Sequence, residues 1–267
     1  MRLSSAQQTG DQVAASTNAP PFLSIVIPVY NEQDRIAPCL AEVGAWTATR
    51  PYRIEVVLVD DGSTDATVDV ARAMGETCPH LRNNEVPHRG KANAVLAGLE
   101  TSQGRFSGFC DVDLATPLAT WDECLAEFEK GAGVAIASRE GLTATRIGEP
   151  GYRHLMGRAF NFLIRALLLP GIHDTQCGFK FFTREALDLI LPRCRLYRDA
   201  NEVSRPRVTA FDVELLAIAR YQGVRIAIIP VTWRYGEHTK VNPLTDTIQN
   251  LGDVLKVRWN AWRGYYD

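Results

Sequence analysis

The chain lacks any apolar run near the ~20 residues that a helical bilayer crossing requires. The closest, Phe160 to Leu169, is too short and carries Arg165. A Cys-x-x-Cys pair is also missing. The six cysteines, Cys39, Cys78, Cys110, Cys124, Cys177 and Cys194, sit mostly in apolar contexts, and His154, His173 and His238 have no ligand spacing with them. That excludes a structural zinc site and reads as the reduced, buried thiols of a cytosolic protein. Neither charge is in excess, with 29 Lys and Arg against 31 Asp and Glu, which argues against a general nucleic-acid binder. After the first apolar run there is no Gly-x-Gly-x-x-Gly; Pro28 to Glu32 stand there instead, which excludes a Rossmann dehydrogenase. Internal repeats are absent, and the one biased stretch is residues 1–21, rich in Ala, Ser, Thr and Gln and closing in Pro20-Pro21. With one Arg and no apolar core, it reads as a disordered leader rather than a secretory signal or an anchor.

What is present is ordinary globular composition: 267 residues, 46% hydrophobic and 22% charged. That suits one domain with a sizeable core, expected over residues 22–267. The first half alternates short apolar runs with helical patterns, the signature of βαβ units and an α/β, mostly parallel sheet. Strands are predicted at Leu23 to Pro28, Ile54 to Asp60, Leu81 to Val86, Phe106 to Asp111 and Gly133 to Ser138. Helices are predicted at about Glu32 to Ala48, Asp65 to Thr77 and Lys91 to Ser102, with another opening at Pro117. Ser63 and Asp65 are cap candidates for the second helix. The second half changes character. Arg139 to Gly151 reads as a polar loop and Tyr152 to Leu169 as a long helix, followed by a strand at Phe179 to Thr183. Beyond these come helices at Arg184 to Leu191 and Phe211 to Tyr221, a strand at Val224 to Val231 and a final helix from Pro243 to Trp262. On that last helix Leu244, Ile248, Leu251, Leu255, Trp259 and Trp262 fall on one face.

The most informative stretch is Asp111-Val112-Asp113, closing an apolar run. If the strand continues there, both carboxylates point the same way, into the crevice where α/β sheets bind ligands. Two hard oxygen donors aimed at one point suit Mg²⁺ or Mn²⁺ carried by a diphosphate. Pro28-Val29-Tyr30-Asn31-Glu32 and Asp60-Asp61-Gly62-Ser63 follow the first two strands, so three strand ends converge. Each segment alone is also an ordinary turn or cap.

Together these segments resemble family 2 glycosyltransferases with the GT-A fold. Arg89-Gly90-Lys91, Ser138-Arg139, Asp174-Thr175-Gln176-Cys177-Gly178-Phe179-Lys180 and Phe211-Asp212-Val213-Glu214-Leu215-Leu216 are similar to the dolichyl/polyprenyl-phosphate β-glucosyltransferase branch, related to dolichyl-phosphate mannose synthases. The resemblance runs from about Phe22 to Trp262. It implies a Rossmann-like, mostly parallel sheet flanked by helices, with residues 22–138 as nucleotide-sugar half and 139–267 as acceptor half, closed by C-terminal acceptor-side helices. The implied donor is UDP-glucose and the acceptor a polyprenyl phosphate, with GDP-mannose, UDP-GlcNAc or a hydroxyl acceptor as alternatives. By match of motif, Pro28, Tyr30, Glu32 and Asp60 hold uracil and ribose, and Lys91 approaches the donor phosphates. Asp111 contacts ribose or metal, and Asp113 is the main protein ligand of Mg²⁺ or Mn²⁺. Arg139 faces the reacting phosphates, while Asp174, Gln176 and Lys180 line the sugar and acceptor side. Mannose synthases of this group often place Gln two residues after the second Asp as a further metal ligand. Ala115 stands there in this chain, so the diphosphate and water must supply more of the metal's shell.

A phosphate monoester acceptor, with a second pKa of ~6, is mostly a dianion at neutral pH and needs alignment rather than a strong base. Arg139, Arg153 and Lys240 are the candidate cations for that alignment. Were the acceptor a hydroxyl, Asp174 would be the candidate base. Tyr152 to Leu169, with Arg153, Arg158 and Arg165 among bulky apolar residues, and the tail with Arg258, Trp259, Trp262 and Arg263 each fit a helix lying in a membrane interface. Core packing or a homo-oligomer contact would explain the same stripes. The expected location is cytoplasmic, peripheral at the cytoplasmic face of a membrane.

Overall fold

The computed structural model describes residues 20–141, 143–147, 161–197, 209–234 and 243–267. The element order is β1 (Leu23–Val29), α1 (Gln33–Ala48), β2 (Ile54–Asp60), α2 (Thr67–Ala73), β3 (Leu81–Glu85), α3 (Lys91–Thr101), β4 (Phe106–Cys110), α4 (Thr120–Glu129), β5 (Val134–Ser138) and β6 (Thr145–Ile147). A helical run at 161–167, α5, follows. The chain then forms β7 (Phe179–Thr183), α6 (Arg184–Ile190), α7 (Phe211–Tyr221), β8 (Ile226–Pro230), β9 (Thr232–Arg234) and α8 (Pro243–Trp262). The leader expected at 1–21 lies almost entirely outside the described residues.

Seven strands form one sheet in the order β3-β2-β1-β4-β7-β5-β8. All are parallel except β7, which runs antiparallel between β4 and β5. β1 and β2 are buried along their whole length, because helices cover both faces; that is why they read as continuous apolar runs rather than alternating ones. Successive residues still divide between faces. Val26, Val57, Val59 and Phe109 pack with α3, α6, α7 and α8, whereas Ile25, Ile27, Val56 and Leu58 pack with α1 and α4. The result is a three-layer α/β/α body with a core on each side of the sheet.

Several boundaries differ from the sequence expectation. α2 stops at Ala73 because turns take over, with Met74 N–H donating to Ala71 O and Thr77 N–H to Met74 O. Pro117 precedes α4 in a turn closed by Thr120 N–H on Pro117 O, rather than opening the helix. The loop expected at Arg139 to Gly151 contains β6, which pairs in parallel with β9.

Candidate active site

The parallel strand ends meet at one edge. Val29 pairs with Asp60, so Tyr30 and Asp61 emerge together, and β4 ends alongside at Cys110. Because β7 is antiparallel, its first residue, Phe179, pairs with Cys110, which brings Gly178 beside Asp111. A Cβ on Gly178 would stand 2.1 Å from Asp111 Oδ2. Only glycine lets the carboxylate occupy that place.

The strand does not continue through Asp111, as the alternation argument supposed. It breaks into a turn closed by Leu114 N–H on Asp111 O at 3.0 Å, with Leu114 at φ 46°. The two carboxylates still act on one region. Asp113 is pushed above the usual carboxylate range, first by burial and then by the charge of Asp111. Lys91, presented by the first turn of α3, places Nζ 2.5 Å from Asp111 Oδ1. Partial desolvation works against its charge, but Asp111, Asp212 and Asp113 outweigh this and raise the ammonium's pKa. Asp111 and Asp113, already attracting the Lys91 ammonium, are a fitting oxygen donor set for a hard divalent ion. Among the described residues no cluster of three or more His, Cys, Asp or Glu could hold a metal alone. Ala115 adds no side-chain oxygen to the pair.

Beside this pair lies the candidate nucleoside end. Tyr30 stacks on His88, centroids 3.9 Å apart and planes at 5°. His88 Nδ1 donates to Asp61 Oδ2 at 2.8 Å, and the same carboxylate accepts from Arg89 N–H and Gly90 N–H. Asp61 thus ties the end of β2 to the loop that delivers Lys91. Gly62, at φ +74°, lies against His88, whose N would stand 3.0 Å from an added Cβ. Asp60 Oδ2 accepts from Ser63 N–H, while its buried Oδ1 has no hydrogen-bond partner among the described residues. A buried acceptor left without a donor is what a ligand N–H or O–H could satisfy. Glu32 pairs with Arg35 at 2.5 Å. Pro28 is buried within β1, short of the open end.

On the other side, Arg139 and Asp174 form one unit. Arg139 Nε and Nη2 donate to the two oxygens of Asp174, each at 2.8 Å, and Arg139 N–H adds a third bond at 2.8 Å. Asp174 is fully buried. Burial opposes its charge, but Arg139 prevails and holds the carboxyl well below the usual range. A carboxylate so held is a poor base; its effect is to fix the guanidinium, which lies 5.2 Å from the centroid of Trp233 on β9.

Lys180, expected on the sugar and acceptor side, is instead 1% exposed within β7. Its Nζ donates to Asp212 Oδ2 at 2.8 Å and to Cys177 O at 2.5 Å. Burial pushes the Asp212 carboxyl up, with Lys180 opposing, and Asp212 Oδ1 has no hydrogen-bond partner among the described residues. Gln176 is partly buried, its N–H donating to Asp174 Oδ1 at 3.3 Å. Arg153 and Lys240 lie outside the described residues. A small cleft between the two sides is lined by Asp111, Ala115, Gly178 and Trp233.

Sequence reasoning did not foresee His88, Gly178 and Trp233 as site residues, or Asp212 as the partner of Lys180. Asp212 and Gly178 stood inside motifs already noted; His88 was signalled only by preceding Arg89-Gly90-Lys91, and Trp233 by nothing.

Acids and cations gather at the carboxyl ends of a parallel sheet with one antiparallel insert, the layout expected of a GT-A glycosyltransferase. The chain belongs to glycosyl transferase family 2, whose profile matches residues 24–191. Within it, the chain is similar to the dolichyl-phosphate beta-glucosyltransferases of Homo sapiens and Drosophila melanogaster. Each is 33% identical over 263 residues, 90% of this chain and 77% of the relative. The Saccharomyces cerevisiae protein of the same name is 29% identical over 265 residues, 92% of this chain and 76% of its own. Among solved structures, glucosyl-3-phosphoglycerate synthase from Mycobacterium tuberculosis, in complex with Mn²⁺, UDP-glucose and phosphoglyceric acid, matches with a TM-score of 0.61. At 21% identity over 90% of this chain and 80% of that one, the likeness is one of fold.

Proposed function

We propose that the chain transfers glucose from UDP-glucose to a dolichyl or polyprenyl phosphate, giving a β-linked lipid-phosphate sugar. The observation that carries this reading is the meeting of Asp111, Asp113 and Lys91 beside Gly178 at one sheet edge, with the Arg139–Asp174 unit near it. The names of the human and yeast relatives support the choice of sugar and acceptor. Asp113 and Asp111 would hold a divalent ion, which would supply Lewis-acid charge to offset that on the departing UDP.

The chain's own residues do the rest. Tyr30, Asp60 and Glu32 seat the nucleoside, with Asp60 Oδ1 as the waiting acceptor. Lys91 supplies a fixed positive charge to the donor phosphates. Arg139, held in place by Asp174, lines up the acceptor phosphate for in-line attack. A phosphate oxygen forms the bond to the anomeric carbon as the bond to UDP breaks, so the donor's α linkage becomes β. No proton has to be removed from the acceptor dianion. The hydroxyl-acceptor reading needs a base, and Asp174 is committed to Arg139, which favours the phosphate acceptor.

The test incubates the chain with UDP-glucose, Mn²⁺ and either a short polyprenyl phosphate or the corresponding polyprenol. Glucose should pass to the phosphate only. Transfer to the free alcohol, or to neither, would overturn the reading.

A further inference from the structure

We propose that the outer face of α8 is a docking surface for an anionic lipid bilayer. By sequence its Leu255, Trp259 and Trp262 stripe fits either a membrane interface or a packed contact. In the fold those residues are 54%, 56% and 69% exposed, and the opposite face, Val254, Val257 and Ala261, packs into the core. Trp259 and Trp262 lie together, centroids 5.1 Å apart, and partly exposed Tyr265 extends the patch.

The chemistry around this patch selects its occupant. Arg258 and Arg263 are exposed on the same stretch, as is Lys256, which pairs with Asp253 at 3.6 Å. Arg263 lies over Trp259 at 5.7 Å, and Arg195 over Tyr265 at 4.3 Å. From 254 to the end of the sequence the only acid is Asp267. A chain of net charge −2 thus concentrates positive charge around three neighbouring aromatics. Indoles favour the headgroup level of a bilayer, and Lys and Arg are drawn to anionic lipid. A two-fold contact between copies would set this basic face against its own image, Arg against Arg, which disfavours self-association. The face is also firmly mounted. Next to Tyr265, Tyr266 donates its hydroxyl to Glu214 at 2.8 Å, and Glu214 lies two residues from Asp212. The surface does not depend on the proposed acceptor, although it would bring the site to a lipid phosphate.

The test is co-sedimentation with acceptor-free phosphatidylcholine vesicles, with and without phosphatidylserine. The intact chain should bind the phosphatidylserine vesicles, with tryptophan emission shifting to the blue. Trp259→Ala/Trp262→Ala should weaken binding about tenfold or more, and Arg258→Glu/Arg263→Glu should remove the preference for phosphatidylserine. Both variants should keep the wild-type rate on a short, water-soluble acceptor, showing that the fold is intact. Failure of the intact chain to bind, or a dimer that the tryptophan variant dissociates without any vesicle binding, would overturn the proposal. Neither result bears on which sugar is transferred, because these vesicles contain no acceptor.

Discussion

Asp111 sits where a neighbouring side chain has been omitted to admit it. Gly178→Ala would put a Cβ 2.1 Å from Asp111 Oδ2, and the adjacent backbone is fixed by the pairing of Phe179 with Cys110. We expect about a 100-fold loss of transfer, the usual consequence of moving a site group by about an ångström, with an unchanged far-UV spectrum; wild-type activity would show that Asp111 can move without cost. Asp113→Asn should lose about 100-fold or more in turnover and bind UDP less tightly only when Mn²⁺ is present, as titration calorimetry would show. Asp174 carries a pH signature. Its folded pKa is depressed below 3.8, so its stabilisation is fully present above that value and is lost as pH falls through the lower folded value. In urea melts, wild type should exceed Asp174→Asn by a constant margin from pH 7 to about pH 5, and the margin should shrink below about pH 4. A margin that grows on acidification would refute the pairing.

At the scale of elements, β7 and α8 separate what a sequence pattern carries from what it does not. Phe179-Lys180-Phe181-Phe182-Thr183 reads as a strand from its residues, but nothing in those residues gives its direction. The antiparallel insertion brings Gly178 to Asp111 and buries Lys180, whose partner Asp212 is 32 positions away. Removing one member of that pair, as in Lys180→Met, should cost about 3–5 kcal/mol, and Lys180→Met/Asp212→Leu clearly less than the sum of the single changes. Chemical denaturation of the four proteins measures this cycle, and additive losses would contradict the pairing. Periodicity located α8 but not its inner face, because the helix buries small and β-branched residues and leaves its tryptophans outside. Its end is tied down by Tyr266, whose hydroxyl bonds buried Glu214. Tyr266→Phe should cost about 1–3 kcal/mol by leaving that acceptor short of a donor; an unchanged denaturation midpoint would count against this anchor.

For the molecule as a whole, the mostly parallel GT-A sheet was legible in the alternation of apolar runs and helices, and polar motifs marked three of its strand ends. Asp60, Lys91, Asp111 and Arg139 were legible as candidates because each follows an apolar run or lies within a short motif. The stack of His88 on Tyr30, the lock of Arg139 on Asp174 and the cover of Trp233 were not, since each joins segments that only the folded sheet brings together. The assembled molecule places the Asp111 and Asp113 carboxylates and the Arg139 guanidinium on one sheet edge, where we propose that they face donor and acceptor respectively. On that division rests the proposed transfer of glucose from UDP-glucose to a lipid phosphate. Its most direct test is a donor screen with a short polyprenyl phosphate and Mn²⁺, following consumption of UDP-glucose, UDP-GlcNAc and GDP-mannose together with the lipid product. UDP-glucose should be consumed preferentially and yield a β-linked glucosyl phosphate lipid; preferential use of another donor, or an α-linked product, would contradict the proposed reaction.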